Sequence, residues 1–309
     1  MEKVLTNKML KTLIIVFLSF FIIQCDEVDE ILYGEEGTEE SEIVDGTSTP
    51  FVPQDVGNML MWLDASDTST LFTDPGCTTA ATTDGVGIGC WQDKSGNNKN
   101  AIQVTASREP TLDLSAQNGL DAIFFDGTAA QKTFDVVSSN WQPGSKFTAF
   151  IVYFQDNADA IGVMFSTFPD ASSDFMITTT TSTSNRYKYY DNNRWLSGSS
   201  YSAGAWNIDT YHRDELTMDL YQNGNLDATW NGLSTPTAGD ARIGAYTSAT
   251  YNNLYHGHIA EIVWFADTLT SEERLKMEGY LAHKWGRTIS LDSSHPYKND
   301  PPMTFTPDL

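Results

Sequence analysis

The sequence predicts an all-β sandwich with a single helix near its C-terminus. Short runs of β-branched and aromatic residues recur along residues 51–309, separated by turn-forming Gly, Pro, Asn and Asp. Aromatic residues make up 12% of the chain, which is typical of β-rich proteins. No helical pattern separates these runs, so they favour two packed antiparallel sheets.

The clearest strand pair surrounds the dipeptide Asn223–Gly224, in "TMDLYQNGNLDATW". Asn and Gly both tolerate positive φ angles, and alternating apolar residues on either side of such a pair predict a β-hairpin. By the two-residue period of a strand, we expect one face to carry Met218, Leu220, Leu226 and Ala228.

One helix is predicted in "TLTSEERLKMEGYLAHKWG". Thr270 and Glu273 have the spacing of a capping box, and Gly286 can end the helix. Leu275, Ala282 and Trp285 fall on one apolar face. We expect this face to pack over one end of the sandwich.

The N-terminus has the pattern of an export signal. Three lysines precede a largely apolar run of eleven residues, 13–23, which is shorter than the about 20 residues that span a bilayer. Residues 1–24 are therefore interpreted as a signal peptide, and "IIQC" resembles a bacterial lipobox ending at Cys25. This predicts a lipidated Cys25 and a protein anchored in the bacterial cell envelope, at the outer membrane or exposed on the surface. An ordinary secretory signal with a chance cysteine is the alternative.

Residues 25–50 are interpreted as an acidic disordered tether, and residues 51–309 as the folded domain. Ten Asp and Glu residues lie between 26 and 50, with no Lys or Arg. The whole chain has a formal net charge of −23, which disfavours nucleic acid as a partner because phosphates would be repelled. Contact with the membrane is expected only through the lipid anchor.

Cys77 and Cys90 are the two cysteines that remain in the domain. In an exported chain such a pair predicts a disulfide. A metal site is disfavoured, because no further cysteine and no histidine lies near them in the sequence.

Several blocks resemble the successive signatures of bacterial LamG-like domains, which belong to the concanavalin A-like lectin/glucanase superfamily. They are "MLMWLDASDTSTLF", "WQDKSGNNKNAIQ", "REPTL", "FDGTAAQKTF", "YQNGN", "ARIGA" and "YHGHIAEIVWFADTLTSEERLKMEGYLAHKWG…HPYK". The resemblance covers residues 57–298 and implies a concanavalin A-like jelly roll of two antiparallel sheets. It implies no single function, because the superfamily contains lectins, enzymes and structural modules.

The carboxylate Glu261 lies inside the apolar run "HIAEIVWFAD". Glucanases of the superfamily have a strand motif similar to E-x-D-x-E. If Glu261 were its first carboxylate, Val263 and Phe265 would stand at the positions of the second and third. We therefore predict no catalytic residue, and expect Glu261 to share a face with Ile259, Val263 and Phe265. Arg274, Lys284 or a backbone amide is its expected partner.

No metal site and no cofactor is predicted. His256 and His258 share one face of a strand but lack a third ligand. Calcium, common in the superfamily, stays open as an alternative because two turns are rich in oxygen: Asp64 with Asp67, and Asp93 with Asn97 and Asn98. Neither turn has EF-hand spacing.

The stretch "RYKYYDNNRW" is the richest candidate for sugar binding, which uses aromatic faces and a few polar groups. Strand periodicity places Lys188 with Tyr190 on one face and Tyr187 with Tyr189 on the other. The predicted glycan-binding residues are Tyr190, Arg194 and Trp195, with Tyr246 and Tyr251 as weaker candidates. The alternative is that these aromatic residues fill the core.

The sequence favours non-catalytic recognition of a glycan or a glycosylated protein, as in a lectin or adhesin. One alternative is a carbohydrate-active enzyme, either a glycoside hydrolase or a polysaccharide lyase, with carboxylates spread over several strands. The other is a structural module of the cell envelope.

Overall fold

A computed structural model of the protein describes residues 46–128, 130–141, 144–156, 162–168, 175–179, 187–191, 194–198, 204–236, 239–246 and 253–307. Cys25, Tyr251, the predicted signal peptide and most of the predicted tether lie outside these ranges. No helix among the described residues is both long and apolar enough to cross a bilayer.

The strands carry numbers in chain order: β1 (Gly46–Pro50), β2 (Met59–Asp64), β3 (Leu71–Phe72), β4 (Cys90–Trp91), β5 (Ala101–Ile102), β6 (Thr111–Gln117), β7 (Leu120–Asp126), β8 (Phe134–Trp141), β9 (Lys146–Gln155), β10 (Gly162–Phe168), β11 (Phe175–Thr179), β12 (Tyr187–Asp191), β13 (Arg194–Ser197), β14 (Trp206–Asp214), β15 (Thr217–Gln222), β16 (Asn225–Asn231), β17 (Gly239–Ile243), β18 (His256–Phe265) and β19 (Met303–Pro307). The α-helix α1 spans Ser271–Lys284. Short 3₁₀ turns lie at Pro53–Asp55, Thr68–Thr70, Ala106–Arg108 and Thr288–Ser290.

Two large antiparallel sheets form the sandwich. Sheet A has the order β16-β15-β14-β9-β18-β7-β6, and β2 also pairs with β18. Sheet B has the order β13-β12-β11-β10-β17-β8-β5-β4-β3. The predicted all-β sandwich of two antiparallel sheets with one C-terminal helix is confirmed.

The predicted tether is ordered at its end. Its last five residues, Gly46–Pro50, form β1, which pairs with β19. The disorder predicted for the tether is therefore wrong for these residues, because β19 gives their backbone a hydrogen-bonding partner.

The space between the sheets holds the main hydrophobic core. Trp264 of sheet A lies at its centre, with ring centroids 5.2 Å from Trp141 and 5.1 Å from Phe165 of sheet B. Phe147 closes on the same indole at 4.8 Å. Aromatic rings from both sheets therefore hold the two layers together.

The helix α1 covers the outer face of sheet A. Met277, Leu281 and Trp285 form a second apolar cluster with Phe150 of β9 and Val263 of β18. The expectation that the helix packs over one end of the sandwich is therefore wrong. Strand β18 has apolar residues on both faces because one face lines the main core and the other lies beneath the helix.

The ends of α1 follow the sequence signals. The Thr270 hydroxyl accepts a bond from the Glu273 amide at 3.2 Å, and the Glu273 carboxylate accepts one from the Thr270 amide at 2.8 Å. Gly286 follows with a φ of 63°, as a helix-ending glycine should. On the predicted apolar face Ala282 and Trp285 are buried, whereas Leu275 is only half-buried.

The predicted hairpin forms, with Asn223 and Gly224 at φ angles of 51° and 76°. Met218 and Leu220 face the main core, but Leu226 is 59% exposed. A β-bulge causes this difference. Leu220 pairs with Ala228 and Tyr221 with Leu226, so Asp227 is an extra residue that breaks the two-residue period.

The predicted disulfide between Cys77 and Cys90 is present, with Cα atoms 5.4 Å apart. It closes a loop that connects β3 to β4 at the edge of sheet B. The bond therefore restricts a segment in which the regular strands have only two residues each.

Replacing both cysteines, as Cys77→Ser with Cys90→Ser, should lower the free energy of unfolding by about 3 kcal/mol, because the unfolded chain gains conformational freedom. Urea unfolding of the oxidised protein measures the change. Wild type treated with reductant should unfold like the double variant, and reductant should leave the double variant unchanged. An unfolding midpoint equal to that of oxidised wild type would contradict a stabilising role.

Candidate functional site

Glu261 is completely buried between β18 and the helix. One carboxylate oxygen accepts a hydrogen bond from the Trp62 indole at 2.8 Å. The other accepts from the Trp285 indole at 2.7 Å and from the Lys284 ammonium at 2.8 Å. Lys284 was one of the partners expected from the sequence, whereas Arg274 pairs with Glu278 at 2.7 Å.

The side chain of Glu261 points to the helix side of sheet A, together with Val263 and Phe265. Ile259 faces the main core instead, because the pairing with β9 shifts register between Ile259 and Glu261. The expectation that Ile259 shares the face of Glu261 is therefore wrong.

A second carboxylate, Asp64, shares the same lysine. The Lys284 ammonium lies 2.8 Å from Asp64, and Lys94 lies 2.9 Å from its other oxygen. Burial and the charge of Asp64 raise the pKa of Glu261. Burial opposes ionisation of Asp64 too, but Lys284 and Lys94 keep the pKa of Asp64 below its usual value.

Two neighbouring carboxylates with diverging pKa values are a pattern found in enzymes. Here Lys284 lies between them, and both are enclosed by the helix and the sheet, with exposed fractions of 0% for Glu261 and 3% for Asp64. The pair leaves no space for a substrate. Its geometry is that of a structural ion network that docks the helix.

The two oxygen-rich turns considered for calcium are engaged in other contacts. Asp67 lies 2.8 Å from the Lys94 ammonium, so cations of the protein occupy the space beside both Asp64 and Asp67. Asp93 accepts from the backbone amides of Trp62 and Ser95, as in an Asx turn. In that turn the Asn97 amide donates to the Met59 carbonyl at 2.8 Å, and Asn98 has a φ of 55°.

Among the residues that the structure describes, no three His, Cys, Asp or Glu side chains are grouped to hold a metal ion. His256 and His258 do share a face, since both contact the ring of Phe124, at 5.9 and 4.9 Å. Each has its own carboxylate: His258 lies 2.7 Å from Asp113, and His256 lies 3.8 Å from Asp156.

Tyr190, Arg194 and Trp195 lie together on the edge hairpin β12–β13 and are called the aromatic patch. Tyr190 and Trp195 are register partners with ring centroids 4.7 Å apart in an edge-to-face arrangement. Both are half-buried, and Arg194 is exposed. The Arg194 guanidinium donates to the carbonyl groups of Asn231 at 3.3 Å and Gly232 at 3.1 Å.

The remaining aromatic candidates do not join this patch. Tyr246 is half-buried after β17, and β17 is three places from β12 in sheet B. With strands spaced about 4.8 Å apart, roughly 14 Å separates these two strands. Tyr251 lies outside the described residues, so its part in binding stays a prediction.

Strand periodicity predicted Lys188 on the same face as Tyr190, but the two side chains lie on different faces. Lys188 is the extra residue of a β-bulge, because Tyr187 pairs with Ser197 and Tyr189 with Leu196. The bulge allows Lys188 and Tyr189 both to turn into the sandwich, where each is 0% exposed.

Inside the sandwich Lys188 belongs to an interior polar cluster with Tyr153, Asp209 and Gln222. The Asp209 carboxylate accepts bonds from Tyr153 at 2.9 Å, from Lys188 at 3.1 Å and from Gln222 at 3.3 Å. Sequence reasoning missed this cluster. The available signal was Asp209 itself, a lone carboxylate in the strand "AWNIDTYHR".

Two of the cavities on the described surface are relevant to binding. One, of about 250 Å³, is lined by Gln222, Asn223, Asn225, Leu226, Asp227 and Ser290. The other, of about 300 Å³, lies beside the first turn of α1 and is lined by Phe51, Asp55, Val56, Thr270, Glu272, Glu273, Lys276 and Thr304. Gln222 belongs both to the lining of the first cavity and to the interior polar cluster.

No family model matches the sequence, and no curated protein matches it. Among solved structures, the chain is similar to domain 4 of a GH43 extracellular arabinanase from Geobacillus stearothermophilus, in complex with arabinotriose. The TM-score is 0.52 at 11% identity, over 70% of this chain and 96% of that domain. This likeness shows a shared fold.

Two further structures score lower. A Trypanosoma rangeli sialidase in complex with sialic acid gives a TM-score of 0.46 at 12% identity, over 77% of this chain and 36% of the sialidase. The CBM40 of a Ruminococcus gnavus IT-sialidase, bound to α2,6 sialyllactose, gives 0.31 at 16% identity, over 45% of this chain and 93% of the module. At these scores neither likeness supports a functional conclusion.

Replacing Glu261 by Gln should destabilise the fold by about 3 kcal/mol, because the neutral amide leaves Lys284, whose side chain is only 15% exposed, without one of its two carboxylates. Urea unfolding measures the loss. Glu272→Gln is the matched control, since Glu272 has a 74% exposed side chain and its pair with Lys276 should contribute less than about 1 kcal/mol. The structural role would be contradicted if wild type hydrolysed a glycan and Glu261→Gln lost this activity while keeping wild-type stability. Glu261 would then be catalytic.

Proposed function

We propose that this protein recognises carbohydrate without cleaving it, through the aromatic patch on the hairpin β12–β13. The observation that carries the proposal is the half-buried pair Tyr190 and Trp195 beside the exposed Arg194. Aromatic faces stack on the apolar sides of sugar rings, and a few fixed polar groups orient them.

The patch is held in place before any ligand arrives. Arg194 is fixed by two backbone carbonyls and also lies 3.5 Å from the buried carboxylate Asp191. Asp191 in turn accepts from the Ser234 amide at 3.0 Å. Side chains fixed in this way lose little conformational entropy on binding.

The proposal includes the cell-envelope setting predicted from the sequence. A lipidated Cys25 and an acidic tether would present one LamG-like jelly roll of the concanavalin A-like superfamily, at the outer membrane or the cell surface. The partner would be a glycan or a glycosylated protein, and the formal charge of −23 disfavours nucleic acid.

A carbohydrate-active enzyme is the second candidate, because it would use carboxylates on different strands, such as Asp209 on β14 and Asp227 on β16. Burial raises the pKa of Tyr211 well above its usual value, and the charges of Asp209 and Asp227 add to the rise. Asp209 and Tyr211 are completely buried, as Glu261 is, whereas Asp227 lines the cavity of about 250 Å³ and is the carboxylate that a substrate could reach. Release of sugar products from a retained glycan would favour this candidate.

Trp195→Ala should weaken glycan binding by about tenfold, which corresponds to 1.4 kcal/mol, because a stacking surface is lost. Arg194→Ala should weaken it through a lost donor. The purified full chain is applied to an array of oligosaccharides and polysaccharides, with calcium and with chelator, and both retention and product release are followed.

The control for this array is Phe305→Ala, which removes a 54% exposed aromatic ring from β19. It should leave retention unchanged, and thermal unfolding should confirm that all variants fold. Equal retention by wild type, Trp195→Ala and Arg194→Ala would remove the aromatic patch as the site. If the array retained wild type on no glycan, carbohydrate recognition itself would be contradicted.

Cys25→Ala should move the full chain from the membrane fraction to the soluble fraction of the producing bacterium, because the anchoring lipid can no longer be attached. Fractionation and labelling with a radioactive fatty acid measure this. Cys77→Ser with Cys90→Ser should remain membrane-bound and labelled. Unchanged membrane partition of Cys25→Ala would contradict the lipid anchor.

A further inference from the structure

The edge strands of the two sheets, β13 of sheet B and β16 of sheet A, meet along one side of the sandwich, here called the seam. Arg194 donates to the carbonyls of Asn231 and Gly232 at one end. The Trp230 indole donates to the Ser197 carbonyl at 3.3 Å further along. The aromatic patch lies at the Arg194 end of this seam.

Two β-bulges converge at the opposite end of the seam. Lys188 is the extra residue of β12, and Asp227 is the extra residue of β16. Both side chains lie against Gly198, where an added Cβ would collide with the Asp227 carboxylate and lie 3.1 Å from the Lys188 stem. Bulges often redirect a side chain beside a functional site. The meeting of two bulges at Gly198 therefore marks this end of the seam as a candidate site.

The cavity of about 250 Å³ opens at this end, and Asp227 is one of its lining residues. The lining residue Gln222 is held from the interior of the sandwich, because its side-chain amide donates to the buried Asp209 at 3.3 Å. Asn223 is fixed as well, because its side-chain oxygen accepts from the Ile208 amide at 3.0 Å. The interior polar cluster thus sets the position of the cavity's polar wall.

The lining has the chemistry of a sugar site. It offers amide groups from three side chains, one carboxylate, one hydroxyl and the apolar side chain of Leu226. Carboxylate and amide groups can bond both the donor and the acceptor of a sugar hydroxyl. The volume is below the usual range of about 300–1,000 Å³ for drug-sized ligands, which suits one sugar ring.

We propose that this cavity binds one neutral pyranose unit of the glycan whose further units reach the aromatic patch; this deepens the proposed function and rests on it. Among the described residues that line the cavity, Asp227 alone is charged, and its carboxylate disfavours a uronic or sialic acid unit here. Asn231 lies four residues after Asp227 in β16, a distance of roughly 13 Å at the rise of a strand, which a short oligosaccharide can span.

The test uses saturation-transfer NMR of the full chain with the methyl glycosides of glucose, galactose, mannose and xylose, and with glucuronate and galacturonate. At least one neutral glycoside should bind to wild type, and at least tenfold more weakly to Asn225→Ala. Both uronates should bind at least tenfold more weakly than the neutral glycoside that binds best. Asp227→Asn should remove that difference by removing the charge.

Asp219→Asn is the matched control. Asp219 lies on the same hairpin and accepts a bond from the Thr229 hydroxyl at 2.6 Å, but it does not line the cavity. This variant should bind every probe as wild type does. Asn225→Ala changes an exposed residue at the start of β16 and should keep the fold if Asp227→Asn does not. Equal binding of uronates and neutral glycosides, or neutral binding unchanged by both cavity variants, would overturn the cavity proposal.

Array retention distinguishes this failure from failure of the proposed function. If Trp195→Ala reduces retention of a polysaccharide and the cavity variants do not, the aromatic patch stands and the cavity proposal is wrong. If wild type retains no glycan and transfers no saturation, both are wrong. The cavity is supported if Asn225→Ala weakens both saturation transfer and array retention, Asp219→Asn changes neither, and Asp227→Asn extends transfer to the uronates.

Discussion

The helix of this protein is docked on the sandwich through one buried carboxylate. Glu261 lies on the central strand β18 and accepts bonds from β2 through Trp62 and from the C-terminal end of α1 through Lys284 and Trp285. An unpaired buried charge would cost several kcal/mol, so these donors must be present together. A helix shifted by one turn along the sheet would leave the carboxylate unpaired, and this requirement fixes the position of α1.

The second constraint is the loss of strict alternation in the strands that build the candidate sites. Bulges place Lys188 inside the sandwich, turn Glu261 to the helix side and make Asp227 an extra residue at the seam. Each bulge brings a charged side chain to a position that alternation would have given to another residue. These three charged side chains therefore lie where the strands are irregular, although the regular strand β14 also carries the buried Asp209 and Arg213.

This pattern explains what the sequence could predict. The sandwich, the capping box at Thr270, the turn at Asn223–Gly224 and the disulfide depend on local chemistry, and the structure contains all four. Lys284 could be named as a partner of Glu261 because a buried carboxylate needs a cation. The bulges could not be predicted, since nothing in a strand sequence marks an extra residue when neighbouring side chains suit either face. Ile259, Lys188 and Leu226 were therefore assigned to the wrong face.

The seam shows how an edge of the fold can become a recognition surface. Exposed edge strands invite pairing with other chains, and proteins cover or interrupt them. Here the two edges approach each other through side chains that donate to backbone carbonyls, from Arg194 and Trp230, rather than through a continuous ladder. Such contacts satisfy the carbonyl groups and leave side chains, not backbone, facing outward. An aromatic patch at one end and an amide-lined cavity at the other then follow from the same solution to edge protection, and the proposed glycan would lie along the seam between them.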